Sequence, residues 1–183
     1  GVTANFVKEQ FELMGMKTSL FPAVQDSFLY KRAQSNEIYV NRTKTLFDIL
    51  CKNFEVVVAP IEALFSFLPS IKDFSSHVLK LQEGQNIAIE EIESKLVEAG
   101  YKKEELISEN GQFSRRGEVL DVFPINEKHP FRIDFFDTEI ETIKVFDVVT
   151  QKGTKEVKNI KICPYSDLFL TENEIAHLIT QVN

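Results

Sequence analysis

The sequence predicts a mixed α/β fold, in which an α+β domain containing an antiparallel sheet is inserted into an α/β domain. Helix and strand patterns alternate along residues 1–77. Several strand patterns then follow one another between Phe113 and Phe146, and one strand and one helix pattern return after Gly153. We therefore predict an α/β domain formed by residues 1–77 and 161–183, and an inserted domain formed by residues 78–160.

The first elements belong to the predicted α/β domain. Val7, Phe11 and Met14 recur at helical spacing, which predicts a first helix. Residues 18–21 have a short strand pattern that ends before a proline. Asn41 is a residue type that caps helices, so we expect a second helix to begin there.

The next elements continue the alternation. The apolar run Val56–Val58 is typical of a strand that is covered on both faces. Pro60 is favourable at the first position of a helix, which predicts a helix with Leu64 and Leu68 on its inner face. A strand at His77–Leu81 is expected to lead into the inserted domain.

The inserted domain is predicted to combine one helix with a run of strands. The apolar face of this helix is formed by Ile89, Ile92, Leu96 and Val97. Strands and turns then alternate, with one turn at Asp137-Thr138. Residues 160–163 predict a strand and residues 171–182 a last helix, and both return the chain to the α/β domain.

The composition argues against several classes of function. The formal net charge is −7 at pH 7, which disfavours a nucleic-acid surface that depends on bulk charge. No apolar run is long enough to cross a bilayer, so we expect no membrane association. Cys51 and Cys163 lack metal or redox spacing, and a reduced cytoplasmic setting is the simplest interpretation. We expect neither a metal nor a cofactor.

The sequence lacks the motifs of common enzymes. Residues 15–18 (Gly-Met-Lys-Thr) come nearest to a phosphate-binding loop, but methionine stands where glycine is needed and no glycine precedes them at the required spacing. Four carboxylates cluster beside one predicted turn: Asp134, Asp137, Glu139 and Glu141. A glycosidase-like pair is one interpretation, but solvent-facing positions beside a turn are favoured. We therefore predict that this chain is not an enzyme.

One predicted strand has the composition of a protein interface. Along Arg132–Phe136 the side chains alternate between faces, so Ile133 and Phe135 point to the core. Arg132, Asp134 and Phe136 share the other face. An aromatic side chain exposed beside an arginine is typical of an interface hot spot. The alternative, that another element or a bulge covers Phe136, agrees equally well with the sequence.

Arginine is concentrated in this region. Arg115, Arg116 and Arg132 lie within it, although lysine outnumbers arginine elsewhere. Arginine supplies a planar, bidentate cation that lysine does not. Arg116 has two candidate partners, Glu118 and Asp121, yet a surface ion pair contributes only about 0–1 kcal/mol, too little to explain why arginine is used.

Long motifs in the same region resemble the bacterial transcription-repair coupling factor family (Mfd). They are Gly111–Pro124 (GQFSRRGEVLDVFP), Pro130–Glu141 (PFRIDFFDTEIE), and Phe146-Asp147 with Thr150-Gln151. The similarity lies in the domain that this family shares with the excision-repair protein UvrB. It extends more loosely to Ala59–Leu64 and to Leu96–Tyr101 (LVEAGY), and it is weakest over the first forty residues.

The resemblance implies a fold. Residues 1–77 with 161–183 are expected to correspond to UvrB domain 1a, a RecA-like domain that here lacks a P-loop. Residues 78–160 are expected to correspond to UvrB domain 2, which binds UvrA. UvrB itself carries a P-loop ahead of this region and none is visible here, so the coupling factor is favoured over a fragment of UvrB.

The resemblance also implies a partner and a site. The family's contact positions for UvrA fall on Arg116, Arg132 and Phe136, with Arg115 and Asp134 as further candidates. Which of Arg115 and Arg116 faces the partner is left open. We expect the chain to be a fragment that recruits UvrA to stalled RNA polymerase, while polymerase and DNA are bound by other regions of the intact protein. A DNA-binding module is the alternative from another class.

Overall fold

The computed structural model describes residues 2–23, 36–65 and 68–166, and it is mixed α/β with antiparallel sheets, as the sequence predicts. The helices are α1 (Val2–Leu13), α2 (Asn36–Cys51), α3 (Ile61–Leu64), α4 (Ile71–Ser76) and α5 (Ile89–Glu98). The strands are β1 (Thr18–Leu20), β2 (Val56–Val58), β3 (Leu79–Gln82), β4 (Lys102–Lys103), β5 (Gln112–Arg116), β6 (Val119–Phe123), β7 (Phe131–Phe136), β8 (Glu139–Phe146), β9 (Gly153–Glu156) and β10 (Asn159–Ile162). The helix predicted at residues 171–182 lies outside the described residues. Within the described ranges, no helix combines the length and the hydrophobicity needed to span a bilayer.

A parallel pair of strands forms the first part of the molecule. β1 and β2 pair with Thr18 opposite Val56. Parallel neighbours need a long crossover connection, and α2 lies within it. α1 ends at Leu13, and Gly15 follows with φ of +82°, a left-handed conformation that glycine adopts without strain. The first predicted helix and strand are therefore confirmed.

Three details of the predicted α/β region are wrong. α2 begins before Asn41, which lies inside the helix and does not cap it. Val56–Val58 is only half-buried. Leu64 and Leu68 are 63% and 41% exposed, because the four-residue α3 is too short to present two turns to the interior and buries Ala63 instead.

A six-stranded sheet organises the second part of the molecule. Its strands lie in chain order, from β4 to β9, and every neighbouring pair except β4–β5 is antiparallel. The two-residue turn at Asp137-Thr138 joins β7 to β8, with Asp137 at φ of +57°. Aspartate tolerates this left-handed conformation better than most residues. The predicted antiparallel meander and its turn are thus confirmed.

The helix α5 covers one face of this sheet. Ile92 and Leu96 of α5 are fully buried in one cluster with Phe113 and Ile133 of the sheet. Val97, predicted for the same inner face, is 58% exposed. Consecutive helical residues are rotated by about 100°, so the residue after Leu96 falls outside the buried stripe.

β3 and β10 form a small antiparallel sheet at the edge of this core. Leu81 of β3 pairs with Ile160 of β10, and both side chains belong to the same buried cluster as α5 and the large sheet. β10 therefore crosses the predicted boundary between residues 160 and 161 and packs with the inserted region. Whether the two parts fold separately stays a prediction.

Candidate functional site

The face of the six-stranded sheet opposite α5 carries polar and aromatic side chains, and we call it the open face. On β7, Ile133 and Phe135 lie in the core with 0% and 5% exposure. Phe136 is 72% exposed on the opposite side. The alternation predicted for this strand is therefore confirmed, and the interpretation that Phe136 is covered is wrong.

A row of polar residues crosses the open face at right angles to the strands. The strand register sets Ser114 opposite Asp121, Asp121 opposite Arg132, and Arg132 opposite Lys144. Residues directly opposite each other on neighbouring strands have Cβ atoms about 5 Å apart, so their side chains can interact. Arg116 lies two residues beyond Ser114 on β5 and therefore shares this face.

Asp121 is the centre of this row. Its side chain is 1% exposed. Oδ1 accepts a hydrogen bond from Arg132 Nε at 2.7 Å, and Oδ2 accepts one from Arg132 Nη2 at 2.8 Å. Oδ2 also accepts a hydrogen bond from Arg116 Nη2 at 2.8 Å. The pair with Arg132 is bidentate, which gives both strength and a fixed geometry, so one buried carboxylate holds two guanidinium groups on the open face.

Arg132 is held by further contacts besides Asp121. Its guanidinium carbon lies 4.7 Å from the ring centroid of Phe146, which is completely buried. Its Nη2 donates to Gln151 Oε1 at 3.1 Å. Hydrogen bonding to Asp121 raises the pKa of Arg132. The Arg132 side chain is only 21% exposed, so these contacts pack it against the open face.

The loop after β8 positions Gln151. Asp147 Oδ1 accepts hydrogen bonds from the backbone N–H groups of Val149 and Thr150, at 3.1 and 2.8 Å. Gln151 donates its own backbone N–H to Asp147 O at 2.8 Å and has φ of +58°. The Phe146-Asp147…Thr150-Gln151 motif therefore forms a compact loop whose last residue contacts Arg132.

The neighbouring arginines of β5 point to opposite faces of the sheet. Arg115 lies on the α5 side, where its Nη1 donates to Glu93 at 2.8 Å and its Nη2 pairs with Glu90 at 2.7 Å. The Arg116 side chain lies on the open face and is 50% exposed. Because consecutive strand residues alternate in direction, only Arg116 of these two is on the same face as Phe136.

Asp134 also lies on the open face and is paired within the chain. Its Oδ2 accepts hydrogen bonds from Thr142 Oγ1 at 2.7 Å and from Lys144 Nζ at 3.1 Å. Burial raises the pKa of Asp134, but these hydrogen bonds outweigh burial, and the resulting pKa lies below the ordinary value. The carboxylate is therefore ionised at neutral pH. An ionised carboxylate suits a docking or structural role, whereas a general acid must be protonated.

Phe136 marks the end of the open face. It is the last residue of β7, directly before the Asp137-Thr138 turn, and it pairs with Glu139. The register of β7 against β8 shifts between Asp134 and Phe135. The extra residue is Glu141 of β8, so the alternation of β7 continues without interruption to Phe136. The ring of Phe136 therefore projects from the end of the β7–β8 hairpin.

Sequence reasoning missed the central position of Asp121, which it named only as one of two candidate partners for Arg116. A signal was available, because Asp121 interrupts the apolar strand Val119–Phe123. A carboxylate at a buried strand position needs cationic or hydrogen-bonding partners. The roles of Phe146 and Gln151 had no signal apart from the family motif, because they depend on how the loop folds back.

No arrangement typical of a metal or redox site occurs in residues 2–23, 36–65 and 68–166. In these ranges no group of three or more His, Cys, Asp or Glu side chains is placed to hold a metal ion. Cys51 and Cys163 are free thiols. Burial raises the pKa of Cys163, which keeps this thiol protonated and poorly reactive.

Comparison with known proteins identifies relatives of the chain. Residues 79–168 match the family described as the UvrB interaction domain. The chain is 35% identical over 145 residues to the transcription-repair-coupling factor of Staphylococcus aureus (strain bovine RF122 / ET3-1), and 32% identical over 149 residues to that of Staphylococcus haemolyticus. These alignments cover 79% and 81% of the chain but only 12% and 13% of the relatives. The resemblance to the coupling factor family is therefore confirmed, and the chain spans about an eighth of the length of these relatives.

Proposed function

Because the chain contains a UvrB interaction domain and is similar to transcription-repair-coupling factors, we propose that it is a docking module for the nucleotide-excision-repair protein UvrA. The open face is the docking site. Arg116, Arg132 and Phe136 contact the partner, with Asp134 beside them. Arg115 supports β5 from the α5 side and makes no contact with UvrA.

One observation carries this proposal: an exposed aromatic ring shares a sheet face with two arginines that bond to one carboxylate. Phe136 is 72% exposed, and Arg116 and Arg132 are tied to the same carboxylate. Aromatic and arginine side chains dominate the energetics of protein interfaces. Guanidinium groups suit carboxylates, so the complementary surface of UvrA combines acidic side chains with an apolar pocket for Phe136.

In the intact protein, this docking recruits UvrA to stalled RNA polymerase in the cytoplasm. Polymerase and DNA are bound by regions outside this chain. The module itself performs no catalysis and needs no cofactor. Its contribution is to raise the local concentration of UvrA where transcription has stopped.

A titration of the purified chain with purified UvrA tests the proposal. We expect saturable binding, and we expect Arg116→Ala to weaken it by about tenfold or more. Lys155→Ala is the matched control, because it removes an exposed cation from β9 of the same sheet at a position opposite Val145, which packs on the α5 side and not on the open face. Absence of binding by the unaltered chain, or equal loss in both variants, contradicts the proposal.

The same design separates docking from DNA binding. Duplex DNA replaces UvrA in a parallel titration at low and at physiological salt. A chain with a net charge of −7 should bind DNA negligibly at both. Strong, salt-sensitive binding to DNA that Arg116→Ala abolishes would favour the DNA-binding module instead.

A further inference from the structure

The open face contains a buried carboxylate that cannot reach a partner. Asp121 is 1% exposed, yet it bonds to both arginines assigned to docking. We propose that Asp121 is a positioning residue, which holds the guanidinium groups of Arg116 and Arg132 in their docking geometry before UvrA arrives. This inference rests on the proposed function and adds the way in which the site is prepared.

The acceptor atoms of Asp121 are directed to the two arginines and not to Ser114 on the neighbouring strand. Arg132 donates one hydrogen bond to each oxygen of Asp121, and Arg116 donates a third to Oδ2. Ser114 stands directly opposite Asp121 on β5, but its buried Oγ has no hydrogen-bond partner within the described residues. The carboxylate therefore serves the two cations, although a hydroxyl group lies next to it.

Fixing these side chains in advance benefits docking. A free arginine loses rotamer entropy when a partner immobilises it. In this chain the hydrogen bonds to Asp121 already restrict the rotamers of Arg116 and Arg132 when the protein folds. Contacts with Phe146 and Gln151 restrict the rotamer of Arg132 further. The Nε and Nη1 groups of Arg116 donate no hydrogen bond to any other described residue, and the Arg116 side chain is 50% exposed. They are thus available to a carboxylate of the partner.

The direction in which Asp121→Asn changes the affinity for UvrA distinguishes a positioning role from a long-range charge effect. Replacing Asp121 with asparagine removes a negative charge from the middle of a cationic site. If long-range attraction to an acidic partner governed docking, the variant would bind more tightly. If Asp121 positions the arginines, the variant binds more weakly, because an asparagine amide cannot hold both guanidinium groups by ionic hydrogen bonds.

The experiment compares Asp121→Asn with the unaltered chain and with a charge control in the titration against UvrA. Glu156→Gln is the control. Glu156 lies on β9, opposite Lys144 of β8, and its side chain forms no ion pair within the described ranges. We expect Asp121→Asn to weaken binding on the order of tenfold, and Glu156→Gln to change it by less than about twofold. Equal or tighter binding by Asp121→Asn overturns the inference. Failure of the unaltered chain to bind overturns the proposed function instead.

A second measurement needs no variant and so remains decisive if Asp121→Asn does not fold. In the free, unaltered chain, nitrogen-15 relaxation of the Arg132 Nε–H group reports whether the guanidinium is fixed. We expect an order parameter near the rigid-backbone value of about 0.85. A value below about 0.6 would mean that Arg132 is mobile before binding, and the inference would then be wrong.

Discussion

Replacing Phe136 with alanine separates docking from folding, because two adjacent phenylalanines of β7 face opposite sides of the sheet. Phe136 is 72% exposed on the open face, whereas Phe135 is 5% exposed in the core. The two substitutions remove the same ring from consecutive positions. Phe135→Ala is therefore the matched control for Phe136→Ala.

The expected magnitudes follow from burial. Truncating an exposed side chain away from the core changes stability by about 0.5 kcal/mol or less. Truncating a central aromatic anchor of an interface costs about 2 kcal/mol of binding, which is about a thirtyfold weaker dissociation constant. Phe135→Ala removes buried volume and should cost about 3–5 kcal/mol of stability. In a chain of this length, such a loss lowers the melting temperature by roughly 10 °C.

The assay combines a melting curve with a UvrA binding isotherm for each variant, recorded at a temperature where both variants are folded. We expect Phe136→Ala to melt like the unaltered chain and to bind about thirtyfold more weakly. Phe135→Ala should melt early and bind normally once folded. If Phe136→Ala destabilises the fold as strongly as Phe135→Ala does, the ring is a core residue and the reasoning fails. If it binds UvrA normally, Phe136 is not a contact residue.

Three further predictions follow from the contacts of the open face and the small sheet. Arg132→Ala should lower the melting temperature as well as weaken docking, since it uncovers Phe146 and leaves the buried Asp121 carboxylate with one partner fewer. An unchanged melting curve would show that Arg132 does not stabilise the packing of Phe146 and Asp121. Hydrogen bonds from Thr142 and Lys144 lower the folded-state pKa of Asp134, so the ionised carboxylate contributes its full stabilisation above the unfolded pKa, and this stabilisation is lost as the pH falls through the lowered folded-state pKa. Thr142→Val should raise that pKa in an NMR titration, and an unmoved pKa would show that the hydrogen bond from Thr142 is unimportant. A piece comprising residues 78–166 should give a dispersed amide spectrum and melt higher than a piece comprising residues 78–160, which lacks half of β10; equal melting would mean that β10 adds nothing to the core.

The sequence was most informative where one local rule sufficed. Strand alternation assigned Ile133 and Phe135 to the core and Phe136 to the open face, because a strand with one covered face has little freedom to rotate. The Asp137-Thr138 turn could also be predicted from the sequence, since few residue types tolerate the left-handed backbone conformation of Asp137. The same local reasoning failed at Leu64, because the burial of a short helix depends on what packs against it.

The sequence by itself determined the mixed α/β class, the meander, the family and the face to which Arg132 and Phe136 belong. These properties depend on periodicity and on motifs, which are local. Tertiary structure alone decided that Arg115 turns towards Glu93 while Arg116 and Arg132 share Asp121. Such pairs are set by the register between strands and by the path of the connecting loops. The sequence pattern of one strand does not determine which residue lies opposite on the neighbouring strand. The set of side chains that meet on the open face therefore depends on the register between strands.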